Sequence, residues 1–285
     1  MNLLYHSGQF ATLIEMKLLN GRELADYIKV RQVRQVRALR QAHHTYPKLA
    51  IVQTIDSPVI DAYVTLKQRY GADILVDVEV YKTDQQTLAG VIERLNADVS
   101  VHGIIIQLPL ADPSATQAAV DAVVSAKDVD GLGVGAVLDP ATPLAINWLV
   151  AGYNITLVGK KIAVIGNGRL VGAPLARLWR ESGYDVTVYD ETSSDMEGAL
   201  SEYDVIVTAA GVPGLVKAAN VKEKAVIIDA GTAAEHGKIV GDVAADVRLR
   251  DDVTITPEKG GVGPLTVSAL FDNVIRAATA TIKTD

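Results

Sequence analysis

The chain has no cysteine among its 285 residues. Disulfides and thiolate metal sites are thereby excluded, while the redox compartment stays open. No apolar run approaches the ~18 residues of a membrane span, although 49% of the chain is hydrophobic. Its apolar segments are short and broken by Gly, Asp or Pro, as in buried strands. An excess of positive charge is missing too. The formal net charge is −7, which disfavours nucleic acid as a partner. The histidines His6, His43, His44, His102 and His236 show no ligand spacing on a common face, so no metal is expected. Residues 1–15 contain Glu15, no basic cluster and no continuous apolar core, so no signal peptide is expected. A cytoplasmic protein without membrane contact is the simplest reading.

What is present is an alternation of apolar runs and amphipathic stretches, the pattern of βαβ units and a parallel sheet. Helices are expected at about 21–42, from a Ser57-Pro58 cap to about 70, at 84–95 and at 112–125, with strands at 49–54, 74–80 and 102–107. The Gly- and Pro-containing segment 131–143 reads as a linker or cleft-lining loop. A helix at 144–151 then leads into strands at 161–165, 185–189, 204–208, 225–229 and 253–256, a helix at 172–182 and a last helix at 267–282. The expected fold class is α/β and two-lobed: an N-terminal α/β domain over 1–143 and a Rossmann-like dinucleotide-binding domain over 144–266, with a cleft between them. Arg31, Arg34, Arg37 and Arg40, interleaved with Val30, Val33, Val36 and Leu39, predict a helix with a solvated basic face.

The strand 162–165 runs directly into Gly166-Asn167-Gly168-Arg169-Leu170-Val171-Gly172. A pyrophosphate needs a tight turn, close backbone approach and a helix N-terminus aimed at its charge. Gly166 and Gly168 suit the first two, and Gly172 allows close packing of helix on sheet. The third glycine stands one residue later than in G-x-G-x-x-G. Asp190 follows Gly166 by 24 residues, at the end of the next strand. A carboxylate there accepts hydrogen bonds from a ribose 2′-hydroxyl, whereas a 2′-phosphate would meet Asp190 and Glu191 together. NAD is therefore favoured over NADP, with Arg169 as the residue that argues the other way.

Tyr63 and Lys67 stand four apart on an expected helix and share a face. Gln107 ends a strand, where open α/β sheets place ligand contacts. Asp128 and Asp130 sit in Lys127-Asp128-Val129-Asp130-Gly131, either being a ligand candidate or a loop residue. Gly260–Thr266 offers glycines where backbone has to approach something closely. Taken together, Tyr63-Val64-x-x-Lys67, Gln107-Leu108-Pro109-Leu110, Asp130-Gly131 and Gly260-Gly261-Val262-Gly263-Pro264 resemble the bifunctional methylenetetrahydrofolate dehydrogenase/cyclohydrolase family over about residues 16–283.

That resemblance implies oxidation of 5,10-methylenetetrahydrofolate by NAD or NADP, then hydrolysis of the methenyl form to 10-formyltetrahydrofolate. It implies Lys67, Gln107, Tyr63 and Asp130 as the catalytic group, with Gln107 bonding the lysine. Folate contacts are implied at Tyr63, Leu108, Asp130, Gly261, Val262, Gly263 and Pro264. Cofactor contacts are implied at Gly166, Asn167, Gly168, Arg169, Asp190, Gly211 and Thr232. It also implies a homodimer, and a last helix, 267–285, that packs back on the first lobe.

NADP-using members of that family carry an Arg-Ser pair in the glycine turn, where this chain has Asn167-Gly168. The segment Leu132–Asp139 is short, Pro140-Ala141-Thr142-Pro143 replaces a Pro-Cys-Thr-Pro sequence, Lys259 replaces a proline and Ile60 a serine. Residues 1–15 precede the family region, and Met16 is a candidate original start. The alternatives are a dehydrogenase lacking the hydrolytic step and a non-catalytic nucleotide-binding paralogue.

Overall fold

The computed structural model describes residues 17–235 and 238–282. The N-terminal segment with Met16, His236, and the end of the expected last helix lie outside the described residues.

Asn20 caps α1 (Gly21–His43), its side-chain oxygen accepting from the Glu23 N–H at 3.4 Å. Ala25, Ile28, Gln32, Val36 and Leu39 turn one stripe inward, as a helical period requires. Arg34 and Arg37 are left exposed. The other two arginines are used: Arg31 pairs with Asp272 at 2.8 Å, and Arg40 donates to the Leu75 carbonyl.

In the first lobe β2, β3 and β4 lie parallel in the order β3-β2-β4, where β2 is Lys48–Gln53, β3 Asp77–Lys82 and β4 Gly103–Gln107. The central strand β2 is buried along almost its whole length, the signature of a parallel strand covered on both faces. The chain leaves β2 toward one side and returns on the other, which creates a crevice at the carboxyl ends of the strands. The helices α2 (Pro58–Asp73) and α3 (Leu88–Ala97) connect them in turn, and α4 (Thr116–Asp121) follows β4.

α5 (Ala141–Gly152) leads into the second lobe. Its strands are β5 (Lys161–Ile165), β6 (Asp185–Tyr189), β7 (Val205–Thr208), β8 (Val226–Asp229) and β11 (Thr254–Ile255). They form a parallel six-stranded sheet with β1 (Lys17–Leu18), in the order β1-β11-β8-β7-β5-β6. Helix α6 (Gly172–Glu181) follows β5, and a short α7 (Met196–Ala199) follows β6. A small antiparallel ribbon pairs β9 (Ala233–Glu235) with β10 (Lys238–Val240). Here too the chain runs from β5 to β6 on one side, then back past β5 to β7. The glycine turn therefore opens at a second such crevice. The last helix, α8 (Val262–Ala280), packs along α1 and α5 and also touches α2, β2 and β4.

Several expected boundaries move. α5 and α8 begin at Ala141 and Val262 rather than 144 and 267. In each, a proline (Pro143, Pro264) read as loop sits in the first helical turn, where its missing N–H is not needed. The linker thus ends at Pro140, and most of the Gly260–Thr266 stretch is helix. β3 begins at Asp77 rather than 74, because Ile74 and Val76 bury the end of α2 in a turn around Leu75 (φ 66°). Asp84 ties a turn by accepting from the Thr87 N–H, so α3 starts only at Leu88. The helix expected over 112–125 is a 3-10 turn over Pro113–Ala115 followed by the short α4. β1, placed by sequence in the first lobe, pairs with β11 of the second. Two residues are too few for a readable period.

One hydrophobic core runs from Leu49 and Ile51 in β2, through Phe271 and Val274 in α8 and Leu149 in α5, to Ile162 and Val164 in β5. The two lobes therefore share apolar packing through α8. Phe271→Ala should remove about 3–5 kcal/mol of stability. Urea unfolding followed by far-UV dichroism and by Trp148/Trp179 fluorescence should shift together; a shift in one probe alone would contradict a shared core.

Candidate active site

The N-cap Ser57 and Pro58 start α2 so that Ile60 and Val64 face the core. Lys67, one turn further, then aims at the end of β4. Its Nζ donates to Gln107 Oε1 at 2.8 Å. Gln107 Nε2 donates to the Leu108 carbonyl at 3.0 Å, which commits the amide NH2 elsewhere and presents the oxygen to the amine.

The two loop aspartates separate by environment. Asp128 is only 4% exposed and accepts from the N–H groups of Gly131 and Gly133 at 2.9 and 2.8 Å. It shapes the loop. Asp130 instead faces the cavity beside Lys67. Asn273 of α8 holds the same loop, its Nδ2 donating to the carbonyls of Val129 and Asp139. Both cavity charges keep some accessible surface, yet dense protein around them dominates. Burial pushes the Lys67 amine below its ordinary range, with the Asp130 carboxylate opposing that. Burial pushes the Asp130 carboxyl up, against the pull of Lys67, and Asp128 adds to the rise. Each charged form is disfavoured, and the mutual attraction does not offset desolvation.

A cavity of about 160 Å³ is lined by Lys67, Gln107, Leu108 and Asp130 from the first lobe and by Leu170 from the glycine turn of the second. Thr142 of α5 and Thr266 of α8 complete its wall, joined by a Thr266 Oγ1 to Thr142 Oγ1 contact of 3.4 Å. Thr142, Thr266 and Leu170 stand in no expected site list, and the sequence reaches them only as members of the segment 131–143, the Gly260–Thr266 stretch and the glycine turn.

In the glycine turn, Gly166 adopts φ 97°, and a Cβ there would fall 2.5 Å from the Ala209 carbonyl oxygen. Only glycine fits. Gly172 lies against Gly166 itself, a Cβ meeting its carbonyl oxygen at 1.7 Å. Gly168 is different: nothing approaches its position within 4 Å. Open backbone directly before the N-terminus of α6 is what a pyrophosphate requires. Asp190 ends β6 and accepts from the N–H and hydroxyl of Thr192 at 3.0 and 2.7 Å. Thr192, then Ser193 and Asn167, hold its carboxyl below the usual range. Arg169 is exposed, and its charge is felt at Asp121 of the facing lobe.

Two buried carboxylates organise the loops beyond β7 and β8. Asp242 accepts from the N–H groups of Ala210 and Val212, both at 2.8 Å, and of Gly211 at 3.3 Å, as well as from the Thr208 hydroxyl. Asp229 accepts from the N–H groups of Gly231, Asp242 and Val243 and pairs with Arg248 at 2.9 Å. These positions stand in no expected site list.

The structure thus brings Lys67, Gln107, Leu108 and Asp130 into one cavity, and sets Gly166, Asn167, Gly168, Asp190 and Gly211 around the carboxyl ends of β5, β6 and β7. Tyr63 is 39% exposed and is not in the cavity wall. Gly261, Val262, Gly263 and Pro264 do not line it either. The close approach at Gly261 is to Gly21 of α1, where a Cβ would fall 1.9 Å from the Gly261 oxygen. Those glycines let two helix starts meet. Thr232 is exposed near Gly211, its carbonyl oxygen 3.5 Å from where a Gly211 Cβ would stand.

Residues 19–130 match the family model for the tetrahydrofolate dehydrogenase/cyclohydrolase catalytic domain, and residues 140–282 that for its NAD(P)-binding domain. The Bifunctional protein FolD of Exiguobacterium sibiricum is 33% identical over 274 residues, covering 92% of this chain and 99% of its own. The crystal structure of the bifunctional enzyme FolD, methylenetetrahydrofolate dehydrogenase/cyclohydrolase, from Campylobacter jejuni superposes with a TM-score of 0.87 at 32% identity, covering 93% of this chain and 99% of that one. The FolD structure from Trypanosoma brucei, complexed with NADP cofactor and inhibitor, gives 0.89 at 29% identity, with 95% and 99% coverage.

The aspartates should part in a stability measurement. Asp128→Ala strands two loop N–H donors and should lower stability by about 1–3 kcal/mol. Folding penalises ionised Asp130: the penalty is absent below the ordinary carboxylate range and grows as pH rises through the raised value. Asp130→Asn should therefore leave the neutral-pH urea midpoint unchanged or higher; a drop matching that of Asp128→Ala would contradict this division of roles.

Proposed function

Because the chain belongs to the tetrahydrofolate dehydrogenase/cyclohydrolase family, we propose that it oxidises 5,10-methylenetetrahydrofolate and hydrolyses the methenyl product to 10-formyltetrahydrofolate. The observation that carries this reading is the single cavity where the Lys67–Gln107 pair and Asp130 meet Leu170 of the glycine turn. When bound, the nicotinamide supplies the hydride acceptor. Everything else falls to the protein. The cavity holds the reduced pterin against the second lobe, and proximity contributes much of the barrier reduction. Asp130, desolvated and without a hydrogen-bonding side-chain partner among the described residues, accepts from the donor-rich pterin edge.

Hydrolysis needs a group that takes and returns a proton near neutral pH. Lys67 suits this, since burial lowers its affinity for the proton and Gln107 orients the amine without adding charge. Water attacks the methenyl carbon while the neutral amine accepts one of its protons; the ammonium then protonates the ring nitrogen as its bond to that carbon breaks, and the remaining hydroxyl proton leaves to solvent as the formyl C=O forms. Tyr63, exposed one turn before Lys67 on α2, supplies the ring that stacks on the substrate in this reading.

For the cofactor, NAD is preferred over NADP. Asp190 stays ionised at the end of β6, where a 2′-phosphate would stand. The groups that lower its pKa do not include Arg169, whose field reaches the opposite lobe instead. On the same family reading the protein is a cytoplasmic homodimer, and β6 is the open edge of the large sheet.

Incubation with methylenetetrahydrofolate and either dinucleotide, following methenyl absorbance and its decay, tests the whole reading. No methenyl formation with either would overturn it, and formation without decay would leave a dehydrogenase alone. Lys67→Met should abolish hydrolysis with dinucleotide binding retained. Gln107→Glu should raise the Lys67 pKa, so that the rising limb of the hydrolysis pH profile moves to higher pH. An unmoved limb would separate Lys67 from that limb. Asp190→Ser should raise kcat/KM for NADP relative to NAD by roughly tenfold, about 1.4 kcal/mol; wild-type protein that already favours NADP would contradict the assignment.

A further inference from the structure

We propose that Asn167-Gly168 is a self-modification site, at which the chain's own backbone deamidates Asn167 and thereby disables the dinucleotide pocket. In the step, the Gly168 backbone nitrogen attacks Asn167 Cγ and loses its proton, and ammonia leaves from the side chain. Water then opens the resulting five-membered imide to aspartate or isoaspartate. One water enters and one ammonia departs, with no oxidant or reductant.

Three observations meet here. First, Asn167 and Gly168 are exposed and lie between β5 and α6, outside helix and strand. Gly168 has no Cβ to shield its nitrogen, and among the described residues nothing beyond its chain neighbours stands within 4 Å of where a Cβ would be. Second, among the described residues no hydrogen bond engages the Gly168 N–H, which leaves the attacking nitrogen uncommitted. Third, Asn167 sits beside Asp190, and its side chain helps to hold that carboxyl below the usual range. Replacing the amide with a carboxylate sets two like charges side by side. It also sets a negative charge at the helix N-terminus meant for pyrophosphate. Isoaspartate would in addition lengthen the backbone of the turn.

The molecule carries its own control. The other Asn-Gly pair is Asn20-Gly21. There Asn20 caps α1, its N–H donates to the Tyr153 hydroxyl at 2.8 Å, and Gly21 is buried hard against Gly261. Gly131, which follows Asp130, is likewise held, its N–H donating to Asp128. The reactive geometry is free at one place and locked at the others.

The chemistry needs no ligand, whereas its consequence rests on the dinucleotide reading above, and the experiment keeps the two apart. The full chain is incubated in mildly alkaline buffer at physiological temperature, with and without saturating NADH, and sampled by tryptic mass spectrometry and NADH fluorescence titration. Peptide Ile162–Arg169 should gain about 1 Da and become a substrate for isoaspartate-directed methylation. Peptide Leu18–Arg22 should react roughly tenfold slower or less until urea is added. NADH should slow the reaction, and binding capacity should fall in proportion to conversion. Asn167→Gln should keep its own starting affinity over the same period. No mass change at Ile162–Arg169, equal rates at both peptides, or converted protein that binds like fresh protein would overturn the proposal. Fresh protein that never binds NADH would sink the dinucleotide reading, and the loss of function with it, while the mass change still reports the chemistry.

Discussion

The molecule is built around a lysine amine and a carboxylate that share one desolvated cleft. Placing Lys67 and Asp130 in direct, well-hydrated contact would fix both charges. The structure instead gives the amine a neutral partner, Gln107, and desolvates both ionisable groups. The amide itself is locked by its bond to the Leu108 carbonyl. Two parallel sheets, each with its carboxyl-end crevice turned to the same space, supply the walls that make this desolvation possible.

Much of the polar design lies one step away from that cavity. Asp128, Asp229 and Asp242 touch backbone amides rather than an open space, and each gathers two or more N–H donors from a loop. Buried carboxylates are unfavourable alone, and several converging donors offset that. The loops after β4, β7 and β8 therefore hold fixed shapes despite having little apolar content. α8 does the corresponding task between lobes. Phe271 and Val274 join the core, Asn273 holds the Val129 and Asp139 carbonyls, and Ser268 receives the Tyr70 hydroxyl at 2.9 Å.

Alternation of apolar runs with amphipathic stretches made the α/β class and nearly all strands of the two large sheets readable, because a parallel strand buried on both faces is an apolar run. Helix starts were less readable. Pro143 and Pro264 look like loop residues in a string of letters, yet they sit in first turns, where proline costs nothing. Side-chain competition was invisible as well. Asp128 and Asp130 are the same residue type two positions apart, and only their burial and partners tell them apart. The glycines of Gly260–Thr266 were read as letting backbone approach something closely, while the close approach found there is allowed by Gly21 of α1, whose missing Cβ leaves room for the Gly261 oxygen.

By itself the sequence settled the fold class, the family to which the chain belongs and the order of most of its elements. Those follow from local patterns and from short motifs that survive without coordinates. Which side chains share a cavity was decided only by tertiary structure, since Lys67, Asp130, Thr142, Leu170 and Thr266 meet there from five separate segments. Local periodicity carries no information about such meetings; they depend on how α8 draws two sheets onto one core.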